Sequence, residues 1–241
     1  MSLATRPAGA REEIVFLLDV DNTLLDNDAI IADLRRHLDE QFGAASAAEY
    51  WSIFEQLRDE LGYVDYLGAL QRYRNAIDHR GDGDHRLLQI SSFLIDYPFA
   101  ERLYPRALDV IARLATLGTT VILSDGDVVF QPRKVLRSGL WAAVEGRVLI
   151  YVHKEAQLDD MQRLYPAARY VMVDDKLRLL AAMKSVLGDR LVTIFPRQGH
   201  YALDPAATGR YPAADRSVGS IAELLTLDFG AVLGAPSLET S

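Results

Sequence analysis

A short apolar run near the start of the chain limits its fold more than any other feature. Residues 14–20 read IVFLLDV, so branched apolar side chains dominate and an aspartate stands near the end. A strand of this composition is buried on both faces, which is typical of the parallel sheets of α/β proteins. Similar runs follow at 120–123, 147–152, 170–173 and 191–195, and predicted helices separate them. This alternation predicts a Rossmann-like parallel sheet that is covered by helices on both faces.

Residues 27–100 interrupt the alternation, because they carry helical patterns and no convincing strand. Helices are predicted here at 29–42, 47–61, 63–77 and 87–97. Each has apolar side chains at the spacing of one helix face, which is typical of helices that pack on a core. The sequence therefore predicts one α/β domain, formed by residues 1–26 and 101–241, with an all-helical insertion at 27–100.

The remaining local patterns place further helices and the loose ends of the chain. Helices are predicted at 105–117, 128–138, 155–165, 176–187 and 220–227. Glycine and aspartate at 81–84 predict a surface turn. The segments 1–10 and 229–241 are small and polar enough to be loose tails.

The composition excludes several functional classes. The 241 residues include 34 acidic and 26 basic side chains, and the formal charge of −8 argues against a nucleic-acid partner. No apolar run approaches the roughly 18 residues of a membrane span, so no membrane partner is expected. The absence of cysteine removes disulfides, thiolate metal sites and cysteine nucleophiles. Because the N-terminus shows no signal peptide pattern, we expect a cytoplasmic protein.

Charged or hydroxyl side chains follow each of the first four predicted strands, where parallel sheets bind ligands. In chain order they are Asp19 and Asp21, Ser124 and Asp125, Lys154, and Asp174 and Asp175. Any one of them could be a helix N-cap, since serine and aspartate are preferred caps. Four strand ends at once, with an aspartate pair directly after a buried strand, favour a functional site.

The charges of these residues make sense as a metal site for phosphate chemistry. The four aspartates at 19, 21, 174 and 175 would repel each other, and a hard divalent cation with oxygen ligands offsets that repulsion. Magnesium is the usual ion where carboxylates and phosphate share a coordination sphere. With Lys154 and one such cation the local balance stays negative, which tends to raise the pKa of one carboxylate and suits a general acid. Aspartate is also an established nucleophile toward phosphoryl groups.

The same residues resemble the four motifs of the haloacid dehalogenase (HAD) superfamily, in the family's order. The segment 19–23, DVDNT, is similar to the first motif, D-x-D-x-T. Ser124 matches the second motif, Lys154 the third, and the pair Asp174 and Asp175 the fourth. The resemblance covers the α/β part, about two thirds of the chain. The helical insertion resembles the cap that many members carry directly after the first motif.

The resemblance implies catalytic and phosphate-binding roles. Asp19 is the nucleophile that attacks phosphorus, and Asp21 protonates the leaving oxygen and later activates a water molecule. Ser124 binds the phosphoryl oxygens, helped by backbone N–H groups around Asp125 and Gly126. Lys154 steadies the nucleophile and the charge of the transferring group.

The resemblance also implies a magnesium site and leaves two departures from the family pattern. The ligands are the Asp19 carboxylate, the main-chain carbonyl of Asp21, and Asp174 or Asp175. The second motif continues as DGD at 125–127, which is more acidic than expected beside a phosphate. The fourth is a bare aspartate pair followed by Lys176. Neither departure removes a catalytic group, and Thr23 is expected to brace the loop without reacting.

Other functions with similar residues stay open to different degrees. A halide leaves without protonation, so the presence of Asp21 favours an oxygen leaving group over a dehalogenase. A phosphomutase keeps both aspartates and remains an alternative, as does a catalytically silent binding member of the superfamily. A response-regulator receiver domain has its acidic pair on the first strand and a lone aspartate on the third, which this order does not match.

The sequence thus predicts a magnesium-dependent phosphatase of a small phosphorylated metabolite. The helical cap is expected to close over the site, with hinges near 25–27 and 99–104. The segment 197–201, RQGHY, is expected to line the mouth of the site, where Arg197 could grip the polar end of a substrate. Tyrosines at 63, 66 and 73 recur at helical spacing, which favours cap core over a substrate stack. The substrate itself and the oligomeric state are not readable.

Overall fold

The computed structural model describes residues 12–61, 63–77 and 85–233. The predicted loose segment 1–10, the predicted turn at 81–84 and the predicted tail beyond residue 233 lie outside the described residues. Within the described ranges, no helix has both the length and the apolar character that a bilayer crossing requires.

A parallel sheet forms the centre of the molecule, and the predicted α/β fold is confirmed. Its strands are β1 (Glu12–Leu18), β2 (Thr119–Asp125), β3 (Val148–Tyr151), β4 (Ala167–Val173), β5 (Leu191–Pro196) and β6 (Arg216–Val218). They lie in the order β3-β2-β1-β4-β5-β6, and every neighbouring pair is parallel. The first strand is therefore central, between β2 and β4, and the carboxyl ends of these three strands meet at one edge.

The central strand is buried on both faces, as its apolar run predicts. Phe16 and Leu18 belong to one hydrophobic cluster, whereas Val15 and Leu17 belong to a second cluster on the opposite face. All four side chains are fully buried. Because successive side chains of a strand point to opposite faces, a continuous apolar run serves both cores at once.

Among the described residues, four helices form the chain between β1 and residue 97. They are α1 (Asn27–Phe42), α2 (Ala44–Leu61), α3 (Tyr66–Ile77) and α4 (His85–Asp96), followed by a short 3-10 helix (Phe99–Arg102). Their aromatic core continues into the core beside the sheet, where the ring of Tyr66 lies 5.0 Å from that of Phe130. The division into an α/β domain and a separate cap remains a prediction.

The third helix begins later than predicted. The side chain of Asp65 accepts a hydrogen bond from the backbone N–H of Gly68 at 2.7 Å, which caps the first turn. The helix therefore begins at Tyr66, and Tyr63 lies in the segment before it. The tyrosine stripe that the sequence predicts from residue 63 is correct only for Tyr66 and Tyr73, which are both buried.

The helices after residue 104 alternate with the strands. They are α5 (Ala107–Ala115), α6 (Phe130–Arg137), α7 (Leu140–Ala143), α8 (Leu158–Leu164), α9 (Leu177–Leu187), α10 (Gly199–Leu203), α11 (Pro205–Thr208) and α12 (Phe229–Leu233). Shorter 3-10 turns occur at Lys154–Ala156, Gly188–Arg190 and Ile221–Leu225. The predicted helix 155–165 is thus divided in two, and the predicted helix 220–227 is a 3-10 segment.

Part of the predicted C-terminal tail is packed, which corrects the expectation that it is loose. Phe229 and Leu233 of α12 are buried. The ring of Phe229 meets Phe16 of the central strand edge-on, with centroids 5.3 Å apart. A segment of five residues is too short to establish a helical period, so the sequence does not reveal this contact.

The two connections between the helical segment and the sheet run side by side. The backbone N–H of Asp26 donates to the carbonyl of Arg102 at 2.7 Å, and that of Tyr104 donates to Leu24 at 2.9 Å. Leu25 and Leu103 form an antiparallel bridge. These contacts lie in the two segments that the sequence predicts as hinges, and hinge motion itself remains a prediction.

Candidate active site

A tight turn after β1 places Asp19 and Asp21 at the edge of the sheet. The carbonyl of Val20 accepts hydrogen bonds from the backbone N–H groups of Leu24 and Leu25, both at 2.9 Å. Asn22 adopts a left-handed conformation (φ 60°), which asparagine tolerates better than most residues. Its side-chain oxygen accepts from the backbone N–H of Asn27 at 3.0 Å, so the turn is tied to the start of α1.

Three buried carboxylates meet at the ends of β1 and β4. Asp19, Asp174 and Asp175 each offer an oxygen atom within 4.8 Å of the others, and all three residues are buried. The Nζ atom of Lys154 lies 2.5 Å from Asp19 Oδ1 and 2.6 Å from Asp174 Oδ2. The structure thus brings together four of the residues that the sequence assigns to the site; we call them the strand-end cluster.

The strand-end cluster contains more negative charge than its protein neighbours compensate. Burial raises the pKa of Asp174 and of Asp175 above the usual range, although nearby lysines act in the opposite direction. Within the described part of the chain, both carboxylate oxygens of Asp175 are buried and have no hydrogen-bond partner. Burial alone would lower the pKa of Lys154, but Asp174 and Asp19 raise it well above its usual value.

A divalent cation with oxygen ligands fits this arrangement. Buried polar atoms in proteins are almost always paired, so two unpartnered oxygens on one carboxylate indicate a missing ligand. The oxygen donors of Asp19, Asp174 and Asp175 are of the type that Mg²⁺ prefers.

Ser124 is positioned by the first turn of α6. Its hydroxyl accepts a hydrogen bond from Gln131 Nε2 at 2.9 Å, and both residues are buried. Gly126 lies against the same side chain, since a Cβ atom there would be only 2.5 Å from Gln131 Cβ. Glycine at this position therefore allows the loop to approach the helix closely.

The acidic residues of the DGD segment bind backbone N–H groups. Asp125 Oδ1 accepts from the N–H of Lys154 at 2.7 Å, which fixes the loop that carries that lysine. Asp127 Oδ1 accepts from the N–H groups of Val129 and Phe130 at 2.8 and 2.6 Å and so caps the start of α6. These contacts explain why a motif that looked too acidic is compatible with an anion site.

Asp21 lies apart from the strand-end cluster and has a different partner. Its side chain is 26% exposed, and Lys134 Nζ lies 2.9 and 2.8 Å from its two carboxylate oxygens. Lys134 is itself 1% exposed and also donates to Asn27 Oδ1 at 2.8 Å. The sequence analysis missed Lys134, because a single lysine on an amphipathic helix is typical of exposed surface.

A cavity of about 370 Å³ opens between the sheet edge and the helical segment. On the sheet side it is lined by Asp21, Asp125, Gly126 and Lys134, and on the helical side by Arg58, Tyr63 and Tyr66. Lys176 and Tyr201 form a further wall, with Lys176 Nζ 5.0 Å from the centre of the tyrosine ring.

The segment 197–201 contributes to the cavity differently from the prediction. Tyr201 lines it, whereas the side chain of Arg197 is exposed and is not among the lining residues of this cavity or of the adjoining one. Buried Gln198 instead holds the first motif, since its Nε2 donates to the carbonyl of Thr23 at 3.2 Å. Thr23 accepts in turn from the backbone N–H of Asp175 at 3.1 Å and so braces the loop.

The charge balance of the site differs from that counted in the sequence. Among the described residues, two lysines add their positive charge to that of Lys154. Lys134 lies beside Asp21, and Lys176 has a pKa that burial lowers but that the carboxylates of Asp175 and Asp19 raise above its usual value. Together with Asp125, five carboxylates and three ammonium groups leave a net charge of −2. One divalent cation would cancel that charge, whereas the count with Lys154 alone left an excess of negative charge.

The chain is similar to several proteins of known structure. A haloacid dehalogenase-like hydrolase from Burkholderia xenovorans LB400 is 62% identical to this chain with a TM-score of 0.84, over 90% of this chain and 97% of the relative. Two more distant structures share the fold. A HAD hydrolase from Bacillus subtilis bound to magnesium is 18% identical, with a TM-score of 0.58 over 92% of this chain and 99% of that one.

The second distant structure is the L-2-haloacid dehalogenase from Xanthobacter autotrophicus with chloropropionic acid covalently bound. It is 14% identical, with a TM-score of 0.59 over 88% of this chain and 97% of the other. No protein-family model and no curated protein matches the chain.

Proposed function

The chain belongs to the haloacid dehalogenase-like hydrolases, and from that premise we propose that it is a magnesium-dependent phosphatase of a small phosphorylated metabolite. One observation carries the proposal. Asp19 is a buried carboxylate in the strand-end cluster, where negative charge exceeds positive charge. A second carboxylate, Asp21, lines the adjacent cavity. The pair provides a nucleophile and a separate acid for an oxygen leaving group.

In the first step, a carboxylate oxygen of Asp19 attacks phosphorus, and a bond forms between them. The bond from phosphorus to the leaving oxygen breaks, and that oxygen takes a proton from Asp21. The Ser124 hydroxyl, which Gln131 holds at 2.9 Å, donates to a phosphoryl oxygen. Lys154, in contact with Asp19, stabilises the charge on the transferring group.

In the second step, water attacks the phosphorus of the aspartyl-phosphate. Asp21, now a carboxylate, accepts the proton of that water, and the bond between phosphorus and Asp19 breaks. Inorganic phosphate leaves, and Asp21 is protonated for the next cycle. Each proton that Asp21 gives in the first step is thus recovered in the second.

Magnesium would be held by the carboxylates of Asp19, Asp174 and Asp175 together with the main-chain carbonyl of Asp21. It would offset the repulsion between the carboxylates and the phosphate and draw electron density from a phosphoryl oxygen. The unpartnered oxygens of Asp175 favour that residue as a direct ligand. Asp174 already contacts Lys154, so its oxygens are partly occupied.

A dehalogenase is the second candidate, and the covalently bound chloropropionic acid in the Xanthobacter structure is the observation that favours it. Such a reaction would use Asp19 to displace a halide at carbon. A halide leaves without a proton, so Asp21 would have no role as an acid in that reaction. The paired and cavity-lining position of Asp21 therefore supports the phosphatase over the dehalogenase.

The test is phosphate release from p-nitrophenyl phosphate, measured with magnesium and with EDTA. We expect turnover that EDTA abolishes and that Asp19→Asn reduces by about 10⁴-fold or more. Asp59→Asn, at an exposed carboxylate on α2, is the matched control and should keep wild-type activity. Chloride release from 2-chloropropionate, with no phosphate release from a panel of phosphoesters, would overturn the proposal in favour of the dehalogenase.

A further inference from the structure

A buried lysine outside the four motifs is in contact with the proposed acid. Lys134 lies on α6, is 1% exposed, and has its Nζ atom 2.8 to 2.9 Å from three oxygens. Two of these belong to Asp21 and the third to Asn27, the first residue of α1. We call Lys134, Asp21 and Asn27 the α6 junction. The two catalytic steps above give Lys134 no part.

Two aromatic rings lie close to the ammonium group of Lys134. Its Nζ atom lies 5.1 Å from the ring centre of Phe130 and 5.9 Å from that of Tyr66. Burying an ammonium group is costly unless it is paired and hydrogen-bonded. Here three oxygen acceptors match the three donors of the ammonium group, so the lysine has little freedom to move.

Asp21 would have an alternative position without this contact. It is only two residues from Asp19, yet it is not one of the three carboxylates that converge in the strand-end cluster. A free carboxylate beside a divalent cation would be attracted to it. The Lys134 ammonium group holds both oxygens of Asp21 on the side of the cavity instead.

We propose that Lys134 is a positioning residue, which orients the Asp21 carboxyl group toward the leaving oxygen of the substrate. The inference rests on the proposed phosphatase function and deepens it. Lys134 acts through Asp21 and does not contact the phosphoryl group. Its contribution is therefore largest where protonation of the leaving oxygen matters most.

This role predicts a dependence on the leaving group. An alkoxide is a poor leaving group and needs a proton in the transition state, whereas p-nitrophenolate leaves readily without one. The value of kcat/KM reports the first irreversible step, which is the transfer of the phosphoryl group to Asp19. Loss of Lys134 should lower kcat/KM for an alkyl phosphate much more than for p-nitrophenyl phosphate.

The experiment compares Lys134→Met with wild type on p-nitrophenyl phosphate and on glycerol phosphate. We expect kcat/KM to fall about 100-fold for glycerol phosphate and less than about threefold for p-nitrophenyl phosphate. Competitive inhibition by inorganic phosphate should not change. Lys184→Met, which removes a half-buried lysine on α9 that pairs with Asp215, is the matched control and should match wild type on both esters. Lys134→Gln, which keeps an N–H donor, is measured in parallel in case the methionine variant does not fold.

Three results overturn the inference while leaving the phosphatase intact. Equal losses on both esters would show a general structural role, and weaker inhibition by phosphate would show direct contact with the phosphoryl group. No loss on either ester would show that Asp21 needs no positioning. If the wild-type chain releases phosphate from neither ester, the proposed function itself fails, and this inference fails with it.

Discussion

The strand-end cluster and the α6 junction each contain a buried lysine in contact with aspartates of the same site. Only in the α6 junction do all the carboxylate oxygens have partners among the described residues. In the junction, the ammonium group of Lys134 has three oxygen partners and Asp21 has both of its oxygens bound. In the strand-end cluster, Lys154 contacts Asp19 and Asp174, while both oxygens of Asp175 lack a hydrogen-bond partner among the described residues. The protein alone organises the junction, whereas it leaves negative charge in the cluster uncompensated, which is why we propose a cation there.

The two regions also differ in what holds them. Adjacent parallel strands bring the cluster residues to one edge of the sheet, so their convergence follows from the topology. The junction joins α6 to a turn and to the first residue of the helical segment, where Asp21 and Asn27 lie 113 and 107 residues before Lys134 in sequence. Solvent exposure differs too, since the Asp21 side chain is 26% exposed and that of Asp19 only 7%.

The largest difference between the two regions should appear when each lysine is replaced by methionine. In EDTA, Lys154→Met leaves Asp19 and Asp174 buried and unpaired, and we expect a loss of about 3–5 kcal/mol in unfolding free energy. Lys134→Met leaves one partly exposed carboxylate that water can solvate, so the expected loss is about 1–2 kcal/mol. Urea denaturation of both variants measures the difference. Equal losses of unfolding free energy would contradict the view that water can solvate the carboxylate of Asp21 but not those of the strand-end cluster.

Replacing one aspartate in each region should change stability in opposite directions. Asp175→Asn removes an unpartnered buried charge, so in EDTA we expect the variant to be more stable than wild type by about 1–2 kcal/mol. Asp21→Asn leaves the buried Lys134 without its charged partner and should be less stable than wild type. Thermal unfolding in EDTA measures both.

Magnesium should then reverse the order within the cluster. Wild type should gain about 2.7 kcal/mol when the ion is present at 100 times its dissociation constant. Asp175→Asn should lose most of that gain, and Asp21→Asn should keep it, because the main-chain carbonyl at residue 21 is unchanged. A full magnesium gain in Asp175→Asn would show that Asp175 is not a ligand.

The cluster should also make the metal-free protein less stable as pH rises. Burial raises the pKa of Asp174 and Asp175 in the folded protein above the unfolded value, so the folded state binds protons more tightly. Their stabilising contribution is present below the unfolded pKa of about 4 and is lost as pH rises through the folded-state pKa. In EDTA the melting temperature should therefore fall as pH rises from about 4 through the folded-state pKa of Asp174, which is about 6.

Groups with the opposite behaviour act in a different pH range. Against the effect of burial, hydrogen bonds and a cationic partner, Arg102 for Asp33 and Lys184 for Asp215, lower the pKa of these two carboxyl groups. Their stabilising contribution is lost only at more acidic pH. Asp175→Asn should flatten the fall in melting temperature that the cluster causes, and saturating magnesium should do the same. If neither change affects the pH dependence of the melting temperature, that dependence arises from groups outside the strand-end cluster.

The contrast between the two regions explains how much of the site the sequence could predict. Asp19, Ser124, Lys154 and the pair at 174 and 175 each follow a recognisable apolar strand, so parallel topology alone brings them together. Lys134 has no such signal, because burial of one lysine depends on the rings of Phe130 and Tyr66 and on a turn 113 residues away in sequence. Tertiary contacts of this kind leave no periodic pattern.

The fold shows the same division. Elements with a strong signal, such as the continuous apolar run of β1 and the helical period of α1, are predicted within a few residues, and α1 ends at Gly43 as expected. Short elements such as β6 and α12 were missed, since three to five residues cannot establish a period. Arg197 was assigned to the mouth because it follows a strand, but the chain turns so that Tyr201 lines the cavity instead.

The smallest expected effect concerns the link between the junction and the helical segment. Asn27→Ala removes one of the three oxygens around Lys134 and leaves both contacts with Asp21. We expect a loss of no more than about 1 kcal/mol in unfolding free energy, since water can replace a half-buried amide. The value of kcat/KM for glycerol phosphate should fall about two- to fivefold, well short of the effect of Lys134→Met.

Gln71→Ala is the matched control for this truncation, because it removes an exposed amide on α3 whose Nε2 donates to Asn75 Oδ1 at 3.4 Å. It should leave both measurements at the wild-type value. A loss of stability and kcat/KM in Asn27→Ala as large as that in Lys134→Met would change the comparison. It would show that the contact with Asn27 of the helical segment, and not the contact with Asp21, holds Lys134 in place. The lysine would in that case be oriented by α1, and movement of α1 relative to the sheet would move the acid with it.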